Sequence, residues 1–249
     1  MTDAPHWTTT DRWLALDGLD NIRDVGGLPL EAGGVTRSGM LLRSASLRYL
    51  TDSDVAHLVD VFGLRLVLDL RTAREIDRDG PTAVARAGVH TVALTFIPEE
   101  GRALPETGDD TDPVLAHYLG YLIDRPDNVV EAVRRLAEPA AGPALVHCAA
   151  GKDRTGVLVA LVLDAVGVQR DAVVADYALS GDRVEAMFRR WMTAEGSEMP
   201  ADLTPHLPRP EVIAAVLDTL DREFGGAAGW LRAHGLDDAS IDRLRTRLS

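Results

Sequence analysis

The chain of 249 residues has few cysteines, lysines and aromatic side chains: one cysteine, one lysine among 26 basic residues, and 5% aromatic residues. A single cysteine excludes an internal disulfide framework, so the fold does not depend on an oxidising compartment. The first residues lack the basic and apolar regions of a conventional signal peptide, which predicts a cytoplasmic protein and leaves an unconventional export route open. The longest apolar run, Val157 to Val168, is interrupted by Asp164 and is too short to span a bilayer.

Basic residues are also fewer than acidic ones: the chain has 26 basic and 39 acidic residues, and its formal net charge is −13. This balance argues against nucleic acid as a partner and against stable membrane association. A phosphate-bearing substrate would have to be held by local donors, since salt screens distant carboxylates beyond about 8–10 Å. The length permits one large domain or two small ones, and the composition is that of a soluble globular protein.

What the chain does have is the segment Val146–Gly156, which contains both the only cysteine and the only lysine. Residues 143–146 predict a short buried strand, and residues 157–163 predict the apolar body of a helix that begins near Arg154. A strand, a tight loop and a helix N-terminus together form an anion site, because free backbone N–H groups and the helix dipole converge there. The positive field is expected to stabilise Cys148 as a nucleophilic thiolate beneath the anion.

The sequence Cys-x5-Arg-Thr, preceded by His, resembles the phosphate-binding loop of the cysteine-dependent protein tyrosine phosphatase superfamily. Its longer form, His-Cys-x-Ala-Gly-Lys-Asp-Arg-Thr-Gly, is similar to a bacterial branch of tyrosine and dual-specificity phosphatases. The resemblance implies attack of the thiolate on phosphorus and hydrolysis of the resulting phosphocysteine, with no metal or other cofactor. A nucleotide-binding Walker A loop is excluded, because Gly151-Lys152 is followed by Asp153 rather than by Ser or Thr.

The resemblance assigns a role to each residue of this loop. Cys148 would be the nucleophile, and Arg154 would hold two phosphate oxygens with its planar fork. Lys152 would add a mobile positive charge at the rim, and Thr155 would donate its hydroxyl to the sulfur. His147 is expected to orient the loop rather than carry protons. The predicted substrate-binding residues are Ala149, Ala150, Gly151, Lys152, Asp153, Arg154 and Thr155.

The general acid is harder to assign, because the mobile Trp-Pro-Asp loop of classical tyrosine phosphatases has no counterpart here. Asp153 is the leading candidate as the only carboxylate inside the loop, and the alternative is that it pairs with an arginine such as Arg23 or Arg71. Asp69 is the second candidate, since it ends a predicted strand, where catalytic crevices open in α/β sheets; a salt bridge or turn cap is its alternative. Three carboxylates occupy the region of the missing acid loop, in a stretch typical of solvated loops: Asp109, Asp110 and Asp112.

Two further signatures resemble the same phosphatase branch. One is Asn-x-Arg-Asp-x-Gly-Gly at residues 21–27, in which Arg23 and Asp24 are expected to be structural, with a border on the active site as the alternative. The other is Asp69-Leu-Arg71 with Glu75 four residues later.

The predicted fold is a single α/β phosphatase domain over residues 1–249, with a central, mostly parallel sheet flanked by helices. Residues 1–17 are expected to be a loosely tied lead-in. Residues 181–249 form a helical C-terminal region in which the apolar side chains of Arg183–Thr193 suggest a lid.

Phosphotyrosine proteins are the leading substrates, with phosphoserine and phosphothreonine next. Phosphoinositides are the alternative, because Gly-Lys-x-Arg also resembles lipid phosphatase loops; a sulfurtransferase and a phosphate-binding pseudophosphatase fit the intact loop less well.

Overall fold

A computed structural model describes residues 12–98 and 112–249 of the chain. Its five-stranded sheet has the order β1-β2-β5-β3-β4, and only β1 runs antiparallel to its neighbour. The predicted mostly parallel sheet is confirmed. The strands are β1 Arg23–Asp24, β2 Leu41–Ser44, β3 Leu66–Asp69, β4 His90–Ala93 and β5 Ala144–His147.

The central strand β5 ends directly before Cys148, so this residue lies at the edge of the sheet formed by the carboxyl ends of the parallel strands. It pairs in parallel with β2 and β3, so that Ser44 and Asp69 both lie opposite His147 at the carboxyl ends. All four residues of β5 are buried, as expected for a strand covered on both faces. Cys148 therefore leaves the sheet at the edge where parallel α/β folds place their binding sites.

Helices cover both faces of this sheet. The helix expected to begin near Arg154 and the helical C-terminal region are both confirmed. The helices are α1 Asp52–Ala56, α2 Ala73–Asp79, α3 Ala83–Arg86, α4 Pro113–Asp124, α5 Pro126–Ala137, α6 Asp153–Val166, α7 Arg170–Ala178, α8 Val184–Glu195, α9 Pro210–Phe224, α10 Ala227–Ala233 and α11 Asp238–Leu248. Single turns of other helix types lie at Leu47–Tyr49, His57–Val61, Pro139–Ala141, Leu179–Arg183 and Thr204–His206.

Successive side chains of each strand point to opposite faces of the sheet, so the apolar core has two layers. Leu42, Val67 and Leu145 face a smaller cluster beneath α1 and α3. Their neighbours on the strands face a larger cluster that includes α4, α5, α6, α9, α10 and α11. Helix α6 lies inside the larger cluster, and all of it except Asp153 and Asp164 is buried. The helix that begins at the cysteine loop is therefore held rigidly from several sides.

Part of the lead-in expected over residues 1–17 lies within the described residues and contacts the fold. Arg12 forms a buried ion pair with Asp176 at 2.8 Å, Trp13 bridges to Arg23, and the Asp17 amide donates to Asp54. In residues 12–98 and 112–249, no helix combines the length and the apolar character needed to cross a membrane.

Candidate active site

The cysteine loop, residues 148–153, joins β5 to α6 and turns its carbonyl groups outward. The carbonyl oxygens of residues 149–152 each accept a hydrogen bond, in order from Ser46 N (2.9 Å), Asn21 Nδ2 (3.0 Å), Arg43 Nη2 (2.9 Å) and Gly156 N (2.8 Å). The backbone N–H groups of residues 149–154, by contrast, have no acceptor among the described residues. These free donors and the positive end of α6 together form a preorganised oxyanion cradle.

Two glycines of the loop motif are required by the geometry. Gly151 has a φ of +66°, and a Cβ there would lie 2.1 Å from the carbonyl oxygen of Ser44. A Cβ on Gly156 would lie 2.8 Å from the ring of Tyr177. The loop can therefore lie against the end of β2, and α6 against α7, only without side chains at these two positions.

Cys148 lies in the wall of a cavity of about 530 Å³, and only 2% of the residue is exposed. The other walls are largely aromatic and apolar: Ile97, Tyr118, Tyr121, Tyr177, Pro205 and Leu207. A volume of this order suits a small organic group. The cavity therefore places a thiol beside the free amides of the loop, with room for an aryl group above it.

Arg154 reaches into the same cavity and is held from behind by Glu75. Its Nη1 and Nη2 donate to the two carboxylate oxygens at 2.7 and 2.8 Å, and Nη1 also donates to Leu70 O at 3.2 Å. A guanidinium has five N–H groups, so the Nε–H and one Nη2–H remain without a partner in the described part of the chain. These two N–H groups form the side edge of the fork, which can bind two oxygens of one phosphate.

The ion pair between Arg154 and Glu75 also shifts the pKa of each side chain towards its charged form. Burial alone would raise the pKa of Glu75, but the hydrogen bonds and charge of Arg154, helped by Thr72, lower it from 4.5 to about 2. Burial alone would lower the pKa of Arg154, but the hydrogen bonds and charge of Glu75 and the charge of Cys148 raise it. Thr72 and Glu75 form the capping box that begins α2, so the orienting carboxylate is itself held in place.

Asp153 is the first residue of α6 and faces the cavity. Its Oδ1 accepts a short hydrogen bond from the Tyr118 hydroxyl, which in turn bonds to the Tyr177 hydroxyl at 2.7 Å. Burial raises the pKa of Tyr118, and the charge of Asp153 raises it further, so the phenol stays protonated and donates. Asp153 pairs with neither Arg23 nor Arg71; its cationic neighbour is Lys152 at 3.6 Å.

Lys152, expected as a mobile charge at the rim, is held beneath a covering segment. Its Nζ donates to the carbonyl oxygen of His206 at 2.6 Å, and 12% of its side chain is exposed. The His206 ring packs against Phe188 of α8, with ring centroids 4.5 Å apart. The loop lysine thus connects the cysteine loop to the residues above it.

Thr155 and His147 flank the loop on its buried side. Thr155 Oγ1 is buried and has no hydrogen-bond partner in the described residues, so the donation to sulfur expected from the sequence is not formed in this structure. His147 is fully buried, and its Nδ1 lies 3.2 Å from Cys148 O. Burial lowers the pKa of His147, opposed by the charge of Asp69, and the ring lies outside the cavity.

Asp69 lies at the carboxyl end of β3 but does not line the cavity around Cys148. Its carboxylate pairs with Arg71 at 2.7 Å and accepts the Arg71 backbone N–H at 3.0 Å. Burial would raise the pKa of Asp69, but the charge of His147 and the hydrogen bonds of Arg71 outweigh it and lower the value. This environment favours a permanently ionised carboxylate over a proton donor.

Of the acid-loop candidates, Asp109 and Asp110 lie outside the described residues. Asp112 caps α4 by accepting the Val114 N–H at 2.8 Å, and it pairs with Arg209 at 2.6 Å. Within residues 12–98 and 112–249, no group of three or more His, Cys, Asp or Glu side chains is arranged to hold a metal ion.

Comparison with known proteins agrees with this geometry. A sequence model described as the tyrosine phosphatase family matches residues 14–249. The chain belongs to this family. The triple specificity protein phosphatase PtpB of Mycobacterium tuberculosis is 30% identical over 92% of this chain and 96% of its own length. A tyrosine-protein phosphatase of Nostoc commune is 31% identical over 83% of this chain and 73% of its own length.

Solved structures show a more distant similarity. The TpbA protein of P. aeruginosa is 18% identical, with a TM-score of 0.35 over 72% of this chain and 87% of its own. The catalytic domain of the PP-IP phosphatase SIW14 of S. cerevisiae is 15% identical, with a TM-score of 0.40 over 73% and 96%.

Because the family model and the sequence relatives cover nearly the whole chain, the protein is a phosphatase. Its loop is supported by a carboxylate that sequence reasoning missed. Asp176 of α7 is fully buried and lies within 2.7–3.2 Å of three arginines, Arg12, Arg23 and Arg43. Burial would raise its pKa, but the charges of these arginines hold it well below the usual range. Arg43 then donates to Gly151 O, so this cluster positions the cysteine loop. Arg23 and Asn21 of the N-terminal signature join it through a mutual hydrogen bond.

The phosphatase also has side chains of α8 near its loop. Trp191 shares a small cavity of about 190 Å³ with Ala149 and Glu75. Phe188 contacts both Trp191 and His206. These contacts place α8 and residues 204–206 beside the cysteine loop, in the region where the sequence suggests a lid.

Proposed function

We propose that this protein is a protein phosphatase that hydrolyses phosphotyrosine through a phosphocysteine intermediate. The observation that carries the proposal is the position of Cys148, in an aromatic-walled cavity beside six unpaired loop amides and the free edge of Arg154. A phosphate group held by these donors would have its phosphorus next to the sulfur. The aromatic walls would contact the tyrosine ring.

In the first step the Cys148 thiolate attacks phosphorus, the S–P bond forms, and the bond to the tyrosine oxygen breaks. A proton from the Asp153 carboxyl neutralises the leaving oxygen, because a phenolate is a poor leaving group. In the second step Asp153 takes a proton from water, the water oxygen attacks phosphorus, and the S–P bond breaks. Phosphate leaves, and both side chains return to their starting states.

Arg154 and the loop amides act on the phosphoryl oxygens in both steps. Charge on these oxygens is spread over the equatorial plane in the transition state, where fixed donors outside bulk water are most effective. Glu75 binds the end of the Arg154 guanidinium, and this contact orients the side edge, formed by Nε and Nη2, towards the phosphate. The positions of all these donors are set before substrate arrives.

Asp153 is our choice for the general acid over Asp69. Asp153 lines the cavity, and Tyr118 binds one of its carboxylate oxygens while the other has no hydrogen-bond partner among the described residues. Asp69 is engaged by Arg71 outside that cavity. Since a general acid must lie within hydrogen-bond reach of the leaving oxygen, the position favours Asp153.

A peptide substrate is favoured over a phosphoinositide by the environment of Lys152. This lysine would have to bind an additional headgroup phosphate, yet its ammonium lies 3.6 Å from the carboxylate of Asp153, which already neutralises part of its charge. The net charge of −13 also opposes an anionic lipid surface and nucleic acid. A cytoplasmic location stays a prediction from the sequence.

We further propose that α8 and residues 204–209 form a lid within a single domain. Three contacts hold this lid closed: Lys152 with His206 O, Arg209 with Asp112, and the Arg209 backbone N–H with the Tyr177 hydroxyl at 3.4 Å. A peptide reaching Cys148 would have to displace the lid. Binding of a phosphopeptide should then quench or shift Trp191 fluorescence, and unchanged emission at saturation would oppose the lid.

The proposed function is tested by turnover on phosphotyrosine, phosphoserine and phosphothreonine peptides and on phosphoinositides, all in the presence of EDTA. Phosphotyrosine peptides should be the best substrates, and Cys148→Ser should abolish turnover while still binding vanadate. Full activity of Cys148→Ser, or strict dependence on a divalent ion, would contradict the mechanism.

A further inference from the structure

The phosphatase has another cavity at the opposite edge of the sheet from Cys148. This arginine cavity has a volume of about 580 Å³ and includes Met40, just before β2, and Gly142, just before β5. Gly142 lies six positions before Cys148 along β5, a span of about 20 Å in extended chain. The arginine cavity is therefore separate from the catalytic one.

Three arginines line this cavity, and none of them pairs directly with an Asp or Glu side chain of the described residues. Among the described residues, no Asp or Glu oxygen lies within 4.0 Å of the guanidinium nitrogens of Arg37, Arg243 or Arg247. Arg37 donates to Ser249 O, and Arg243 donates to Ser240 Oγ, which itself bonds to Asp237 Oδ2 at 3.0 Å. The one acidic residue in the wall, Asp242, pairs with Arg245 at 3.5 Å. In a chain with a net charge of −13, three neighbouring arginines with no direct Asp or Glu partner among the described residues are unusual.

Among the three arginines, Arg247 is the one with a buried hydrogen-bond donor that has no partner among the described residues. Its Nη groups donate to the backbone carbonyl oxygens of Glu138, Met40 and Gly142, which fixes the guanidinium in place. Its Nε is buried and has no hydrogen-bond partner among the described residues. Burial lowers the pKa of Arg247, and no neighbouring carboxylate opposes this shift. A fixed cation with an unused buried donor can be satisfied by an incoming oxyanion.

The remaining walls are apolar and include Met40, Ala137, Pro139 and Ala239. A free inorganic ion would leave these side chains without contacts, whereas an apolar group attached to the anion would cover them. We propose that the arginine cavity binds the phosphate or carboxylate group of a small molecule with an apolar body. This inference does not depend on the proposed function, because none of its residues lines the catalytic cavity.

The test counts binding sites by calorimetry with two probes, hexylphosphonate and inorganic phosphate. The wild-type chain should bind two hexylphosphonates, one at the cysteine loop and one in the arginine cavity. Arg243→Glu should retain a single site, which competes with p-nitrophenyl phosphate, and should keep its turnover. Arg222→Glu makes the same charge change on an exposed side chain outside the cavity, so it should still bind two.

Inorganic phosphate should bind the arginine cavity at least about tenfold more weakly than hexylphosphonate, because it lacks the apolar body. Equal affinities would overturn the apolar part of the proposal. One site in the wild-type chain, or two sites in Arg243→Glu, would overturn the whole proposal. Arg243 is exposed and makes only one side-chain hydrogen bond among the described residues, so this variant should fold. Arg247→Met provides a second variant that should also lose the site.

Discussion

The guanidinium of Arg154 has two hydrogen-bonding edges, and each serves a different partner: a carboxylate of the protein and the phosphate of the substrate. Single residues prepare the site in this way. The end of the fork is occupied by Glu75 and the side edge is left for the substrate. Lysine could not reproduce this arrangement, because its ammonium has no planar fork. Glu75 thus acts on the phosphate only through Arg154.

We expect Glu75→Gln to lower kcat about 10–100-fold with a smaller change in KM, because Arg154 would lose its orientation for the transition state. Steady-state kinetics on a phosphotyrosine peptide measures this change. Glu223→Gln, on an exposed residue of α9, is the matched control and should leave both constants unchanged. A Glu75→Gln enzyme that changed only KM would show that Glu75 contributes to docking rather than to catalysis.

The same ion pair predicts a pH dependence of stability. The pKa of Glu75 falls from 4.5 to about 2 on folding, so the ionised pair stabilises the fold fully above pH 4.5. That contribution, at most about 3 kcal/mol, is lost as the pH falls from 4.5 towards 2. Unfolding by urea across this range should show a smaller loss in Glu75→Gln than in the wild-type chain. Parallel curves for the two proteins would contradict the assignment.

Tyr118 is a positioning residue for the proposed acid, since it touches Asp153 rather than the substrate. Tyr118→Phe should lower kcat about tenfold for phosphotyrosine but much less for p-nitrophenyl phosphate, whose phenolate leaves without a proton. Asp153→Asn should show the same leaving-group dependence more strongly. Tyr121→Phe removes a hydroxyl from the same cavity wall that bonds to His117, and should affect the two substrates alike. If Tyr118→Phe also affected both substrates equally, its role would be structural.

At the scale of elements, the cysteine loop depends on the cluster of Asp176 and its arginines. A carboxylate among three buried guanidiniums compensates charges that would otherwise be very unfavourable in the interior. The cluster connects α7, β1 and β2 to the loop, so it sets the outward direction of the Gly151 carbonyl. Loop geometry and global stability are therefore linked.

Asp176→Asn should destabilise the fold by about 3–5 kcal/mol, because it leaves buried arginines without a counter-charge. Denaturant unfolding monitored by tryptophan fluorescence measures the loss. The exposed Asp218, which pairs loosely with Arg170, gives the control Asp218→Asn, with an expected change below about 0.5 kcal/mol. A loss of similar size in both variants would mean that the cluster does not stabilise the fold.

The elements that sequence reasoning predicted are those defined by local pattern. The strand before Cys148, the helix after it and the helices of the C-terminal region follow from apolar periodicity and glycine ends. The position of Arg154 follows from its spacing to Cys148 within one loop. Asp176 could not be predicted as the partner of Arg12, Arg23 and Arg43, because 133–164 residues separate them and only the fold brings them together. Tyr118 lies 35 residues from Asp153 and gave no local signal.

At the scale of the whole molecule, the parallel sheet separates two anion-binding edges in an acidic protein. The carboxyl ends of its strands carry the cysteine loop, and the amino ends border the arginine cavity. At both edges, donors fixed by the backbone outweigh a net charge of −13 at contact distance. Sequence composition showed only the net charge, because clustering of cations depends on the folded arrangement.

The central claim is that phosphate passes through the sulfur of Cys148. Acid quenching during turnover of a phosphotyrosine peptide, followed by proteolysis and mass spectrometry, tests it directly. We predict one phosphoryl group on the peptide that contains Cys148. With p-nitrophenyl phosphate, whose leaving group needs no proton in the first step, more of it should accumulate in Asp153→Asn, because water is activated more slowly in the second step. A phosphoryl group on another residue, or none in either protein while product still forms, would contradict this account.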